Sequence, residues 1–150
     1  GLKALYTPGH AQDHLCYARS DRIVFTGDQV MGWSSSVVPF PKGDMADFIE
    51  SLALLRDRND DLHIPGHGPV LEKPSAFIDS LISKRMEREA AILDIIQRRA
   101  SDAESIARTL YSKRGAELHG AVMHNILSHL RKLEQEGHVR AEGPQWLANS

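Results

Sequence analysis

Three short apolar runs in the first half of the chain each stop at a glycine-bearing turn, and each turn carries a histidine or an aspartate. Leu2–Tyr6 stops at Thr7-Pro8-Gly9-His10, Ile23-Val24-Phe25 at Thr26-Gly27-Asp28, and Leu62-His63-Ile64 at Pro65-Gly66-His67-Gly68-Pro69. Runs rich in β-branched and aromatic residues, bounded by Gly, Pro and Asp, read as strands. Leu15-Cys16-Tyr17-Ala18 is a further run of this kind. Such turns leave the backbone little freedom, so His10, Asp28 and His67 are expected at strand ends, on the rim of a sheet. Residues 32–43, with three serines, two prolines and two glycines, show no periodicity and read as a loop. Asp44 then caps a helix, Asp47 sits in its first turn, and Met45, Phe48, Ile49, Leu52 and Leu55 share one face. Asn59-Asp60-Asp61 ends that helix, and strand–helix–strand order predicts a layered α/β arrangement.

The texture changes at Ser75. Pro74-Ser75 is expected to cap a helical stretch to about residue 100, with Ile78, Ile82, Met86, Leu93 and Ile96 on one stripe and Asp94 placed to pair with Arg98. Ser101-Asp102 caps a short helix with Ile106, Ala107 and Leu110 inward. A longer helix follows from Leu118 to Glu136, with Val122, Ile126, Leu127, Leu130 and Leu133 as its apolar face, and Gly137 stops it. Residues 139–147 have the pattern of a small hairpin. The expected division is 1–75, a connecting helix over 76–100, and a small C-terminal domain over 101–150.

Bulk properties narrow the class. The longest apolar stretch falls far short of the ~20 residues that cross a bilayer, and no charged-then-apolar leader opens the chain. A soluble, cytoplasmic protein is the expectation, with no membrane partner. A single cysteine, Cys16, excludes an internal disulfide and a four-thiolate metal site, and it reads as a small core residue. A net charge of −2 supplies no excess of cations to neutralise phosphates. The opening Gly1-Leu2-Lys3-Ala4 reads as a strand entered partway along, so a fragment of a longer protein is expected.

Imidazole and carboxylate at a rim suit zinc, iron or manganese, and a carboxylate has two oxygens with which to bridge a metal pair. A lone Gly-His-Gly turn is more often structural; three such turns on strand ends make a stronger case. Thr7-Pro8-Gly9-His10-Ala11-Gln12-Asp13-His14 resembles the Thr-Pro-Gly-His-x-x-x-His segment of the metallo-β-lactamase superfamily, particularly its glyoxalase II-like and lactamase-beta-like members. Phe25-Thr26-Gly27-Asp28 resembles that family's strand and bridging aspartate, and Ile64-Pro65-Gly66-His67-Gly68-Pro69 its last histidine motif. The resemblance covers residues 1 to about 75. It implies the C-terminal half of an αββα sandwich and a site for two divalent metal ions, zinc foremost, with iron or manganese as alternatives. His10 would ligate one ion, His67 the other, and Asp28 would bridge both as the catalytic carboxylate. His14 would hydrogen-bond beside the ligands.

The departure matters equally. The family's His-x-His-x-Asp-His motif is absent from this chain, and with it two ligands for each metal. The chain alone is therefore expected to bind metal weakly and to lack activity, and the N-terminal half of the same domain is its expected partner. A half-sandwich should bare apolar sheet, so association of copies is also expected. Residues 101–147 resemble a winged helix, as in the lactamase-beta-like branch, some of whose members act on single-stranded RNA. A nucleic-acid-binding module or an endoribonuclease-like protein is thus an alternative, with His124, Asn125, His129, Arg131 and Lys132 on one helix. Six basic residues (Arg108, Lys113, Arg114, Arg131, Lys132, Arg140) face six acidic ones (Asp102, Glu104, Glu117, Glu134, Glu136, Glu142) in this segment. That balance lacks the basic footprint of a nucleic-acid binder, and the helix polar residues read as a solvated face. The leading expectation is a metal-dependent hydrolase of a small-molecule ester, thioester, lactam or phosphodiester; an iron redox member of the same family is a third.

Overall fold

Period-two alternation in the first strands decides which side of the sheet is covered. In the computed structural model, which describes residues 1–112 and 116–150, β1 (Leu2–Tyr6), β2 (Leu15–Arg19), β3 (Ile23–Gly27), β4 (Leu62–Pro65) and β5 (Leu71–Glu72) form one sheet in that order. Cys16, Ala18, Val24 and Thr26 point to the covered face and are buried. Tyr6, Leu15, Tyr17 and Phe25 alternate with them on the other face, which is open: Tyr6 is 62% exposed and Tyr17 43%. The expected bare apolar sheet surface is present.

β1 pairs antiparallel with β2, β2 antiparallel with β3, and β3 parallel with β4. Parallel pairing requires a crossover, and α1 (Met45–Asp57) supplies it. The helix begins where the sequence places it: Asp44 accepts from the Asp47 amide at 3.0 Å. Met45, Phe48, Leu52 and Leu55 are fully or almost fully buried against the sheet. Gly9 makes this approach possible. Its φ is +131° and any Cβ would overlap the Phe48 backbone, so α1 lies directly on the Pro8-Gly9 turn. Two bonds fasten it there: Asp44 N–H to Gly9 O at 2.9 Å and the Ser51 hydroxyl to Pro8 O at 2.7 Å.

α2 (Ser75–Arg98) serves two cores. Ile78 and Leu81 join Phe48, Leu52 and Val24 in the first, whereas Ile92 and Ile96 join Ile106, Ile126, Leu130 and Leu133 in the second. The second core is built by α3 (Ala103–Tyr111), α4 (His119–Gln135) and a small sheet of β6 (Ser101–Asp102), β7 (Val139–Glu142) and β8 (Gln145–Ala148), in the order β6-β8-β7. Asp102 caps α3 as expected, and Arg98 pairs with Asp94 at 2.9 Å. Ser75 does not cap α2; its hydroxyl bonds Arg56 O. Met86 faces solvent, 45% exposed. Lys113 and Arg114, counted above among the basic residues, lie outside the described residues.

The solvated-face expectation for α4 holds for His124, which is exposed, and is overturned for Asn125, His129, Arg131 and Lys132. His129 and Lys132 are buried on Glu89 of α2, with Nδ1···Oε2 at 2.9 Å and Nζ···Oε1 at 2.6 Å. Asn125 Oδ1 accepts from Val38 N at 3.0 Å, the Ser128 hydroxyl donates to Val38 O at 2.8 Å, and Arg131 reaches Pro41 O at 3.3 Å. The polar face of α4 thus docks on the 32–43 loop and on α2. The physical reason is that the loop offers unpaired backbone groups, and buried polar side chains satisfy them. No helix among the described residues is long and apolar enough to cross a membrane.

Burial holds His63 and His129 below the ordinary histidine value of 6.5. The unfolded chain therefore takes up protons that the folded chain refuses, and stability falls as pH drops through 6.5. Urea midpoints should be lower at about pH 5.5 than at about pH 7.5. His129→Gln, which cannot titrate, should show a smaller drop; an identical drop would assign the effect elsewhere.

Candidate metal centre

The strand directions gather the site. β1, β3 and β4 run the same way, so the turns that follow them leave the sheet at one edge. His10, Asp28 and His67 lie in those turns, and His14 immediately precedes β2, which starts at the same edge. The trio expected from the sequence does meet. His67 Nδ1 lies 2.6 Å from Asp28 Oδ1, and His10 Nε2 faces Asp28 Oδ2 at 3.9 Å. The His10 and His14 rings stand edge to face, 6.4 Å apart. Gly27 makes room for His14: its φ is +52°, and a Cβ there would meet His14 Nε2 at 2.9 Å.

Hydrogen bonds fix the tautomers. Val37 O can only accept, so His10 Nδ1, at 2.7 Å, donates to it and leaves the lone pair on Nε2. Asp28 Oδ1 likewise receives the Nδ1 proton of His67. The Ser36 hydroxyl donates to Asp28 O and ties the 32–43 loop to the turn. His14 Nδ1 is 2.9 Å from the Thr7 hydroxyl, and burial, reinforced by His10, holds its pKa below the ordinary value. His63 lies in the covered face, fully buried and away from the rim.

These residues suit a divalent ion in kind. With metal–ligand bonds of about 2.0–2.2 Å, two donors sharing an ion lie up to about 4.2 Å apart, and His10 Nε2 and Asp28 Oδ2 fall inside that limit. In number they fall short: among the described residues no group of three or more His, Cys, Asp or Glu side chains is placed to hold an ion.

Known proteins are similar to this chain. A family model described as "Beta-lactamase associated winged helix domain" matches residues 103–146. The chain is 31% identical over 142 residues to Beta-lactamase-like protein 2 homolog of Drosophila melanogaster, covering 93% of this chain and 47% of that protein. It is 28% identical over 162 residues to Atrochrysone carboxyl ACP thioesterase of Passalora fulva, covering 97% of this chain and 47% of that protein. A crystal structure of a metallo-beta-lactamase family protein from Thermus thermophilus superposes with a TM-score of 0.85 at 22% identity, over 99% of this chain and 49% of that one, which shows the fold. The chain belongs to the metallo-β-lactamase superfamily, as a portion of its fold joined to the associated winged helix. It spans about half the length of the curated relatives it matches.

Sequence reasoning missed the supports of the site. Val37 and Ser36 act through backbone and hydroxyl groups of an aperiodic loop, which leave no pattern. Arg85 was legible in principle. Ile78, Leu81, Arg85, Glu89, Ile92 and Ile96 follow helical spacing on the buried side of α2, and two charges on that stripe signal buried polar work.

Cys16 is fully buried, and burial pushes its thiol up to about 11. It should react negligibly with iodoacetamide at about pH 8 in the native chain and readily in urea. Rapid native labelling would contradict the inert role.

Proposed function

We propose that this chain contributes His10, Asp28 and His67 to the centre of a divalent-metal hydrolase. The observation that carries the reading is the convergence of the three side chains on one sheet edge, with His10 Nε2 and Asp28 Oδ2 facing each other at 3.9 Å. His10 would hold one ion through Nε2, His67 the other, and the two oxygens of Asp28 would be shared. Zinc suits the donors best, with iron and manganese as alternatives separated by metal analysis. A bound divalent ion supplies positive charge for a developing oxyanion and acidifies water.

The chain's own residues do the rest. Val37 O holds the His10 ring and its tautomer. His14, whose pKa burial and the neighbouring His10 hold below the ordinary value, would orient the rim through Thr7. Ser36 anchors the Asp28 turn, and its loop walls the approach to the site. Among the candidate substrates we favour an acyl thioester, supported by the similarity to a protein named as a thioesterase. The open sheet face, with Tyr6, Leu15, Tyr17 and Phe25, would pack against the remaining length that the relatives possess and this chain does not. That segment would also complete the ligand set, so this chain by itself should bind metal weakly and turn over nothing. The RNA-acting alternative is less supported, because Asn125, His129, Arg131 and Lys132 are committed to internal contacts.

Asp28→Ala in the longer protein should remove the shared ligand, with metal content falling and kcat/KM dropping by about a hundredfold or more. Unchanged turnover and metal content would end the hydrolase reading.

A further inference from the structure

A second place in the fold gathers cations around a cavity. A cavity of about 510 Å³ lies between the 32–43 loop, α2 and the winged helix, lined by Ser34, Ser35, Lys84, Arg85, Arg88 and Asn125, with Glu87 and Tyr111 completing its wall. Three cations against one carboxylate leave a local charge of +2, in a chain whose net charge is −2. None of Lys84, Arg85 and Arg88 forms an ion pair with an Asp or Glu of the described residues. Arg85 is only 7% exposed, and a buried unpaired cation is costly unless an anion or hydrogen-bond acceptors surround it. Its Nη2 donates to Ser35 Oγ at 2.7 Å and to Ser36 O, while its Nε has no hydrogen-bond partner. Burial drives its pKa down to about 10, so it remains charged at neutral pH, resting on two oxygen acceptors and the Phe48 ring with no carboxylate paired to it. The Arg88 guanidinium lies over the Tyr111 ring at 4.3 Å and is thereby held at the pocket wall.

We infer that this pocket anchors the phosphate on the tail of the substrate whose reacting bond lies at the His10–Asp28–His67 rim, an inference that rests on the hydrolase reading. The charge fits: a phosphate monoester carries about −1.5 to −2 at neutral pH, matching the local excess. The donors fit too, since guanidinium forks and serine hydroxyls are the groups that grip phosphate oxygens. The volume is that of a small-molecule site, about 300–1,000 Å³, and leaves room for the segment of tail beside the phosphate. The position ties the pocket to the rim. Arg85 holds Ser36 O, and Ser36 Oγ holds Asp28 O, so one loop forms both the pocket wall and the support of the shared metal ligand. Acyl thioesters of 4′-phosphopantetheine have this layout, a phosphate monoester at one end and the scissile carbonyl at the other.

The test is calorimetric titration of the chain at fixed ionic strength with a chelator present, so that binding is read independently of metal and turnover. The probes are inorganic phosphate, 4′-phosphopantetheine and pantetheine. Inorganic phosphate should bind, phosphopantetheine about tenfold tighter, and pantetheine not detectably. Lys84→Ala/Arg88→Ala changes two side chains outside the apolar core; it should keep its far-ultraviolet circular dichroism and lose about tenfold or more in affinity for phosphopantetheine. Absence of phosphate binding, or equal affinity of the folded double variant, would overturn the pocket. Equal affinity for inorganic phosphate and phosphopantetheine would overturn the tail assignment, as would tighter binding of a single-stranded oligoribonucleotide. A positive titration alongside unchanged turnover of Asp28→Ala would retain the phosphate site and reject the hydrolase reading instead.

Discussion

The parallel pairing of β3 with β4 is the constraint on which the rest depends. An antiparallel partner would send the His67 turn to the opposite edge from the Asp28 turn. The α1 crossover makes the parallel register possible, and α1 can lie flat only because Gly9 has no side chain where the helix backbone passes. Chain direction then delivers His10 and His14 to the same edge without further cost. Site geometry here is a consequence of sheet topology, and the loops only refine it.

Much of this was legible. Short β-branched runs ending in Gly-His and Gly-Asp place the strands and their rim residues, because glycine punctuation and period-two alternation are local properties. The open Tyr6–Leu15–Tyr17–Phe25 face was equally foreseeable, since a half-sandwich leaves one apolar face of its sheet uncovered. The two-residue strands β5 and β6 were not legible, being defined by their partners and not by their own composition. The α4 face failed for a related reason. Asn125, Ser128, His129 and Lys132 look solvated in one dimension, yet each meets a specific backbone or carboxylate partner far away in the chain.

α2 joins the two halves of the molecule. Its apolar stripe changes core partway along, and at that change the sequence inserts Arg85 and Glu89. Glu89 is pulled in opposite directions: burial raises its pKa, and the bonds from His129 and Lys132 outweigh burial and lower it. Arg85 stacks over Phe48 at 5.3 Å and holds the loop beside Asp28. The winged helix is thereby coupled to the rim through polar contacts.

The central claim is that His10 and His67 each present a lone pair to a divalent ion, with the Asp28 carboxylate shared between the two ions. Long-range ¹⁵N–¹H correlation spectra of the histidine side chains, recorded while zinc is added, address it directly. The account predicts that the Nε2 resonances of His10 and His67 shift together, that Asp28→Ala abolishes both shifts, and that buried His63 and His129 stay unmoved. Shifts confined to the exposed histidines of the winged helix, with His10 and His67 unaffected, would contradict it.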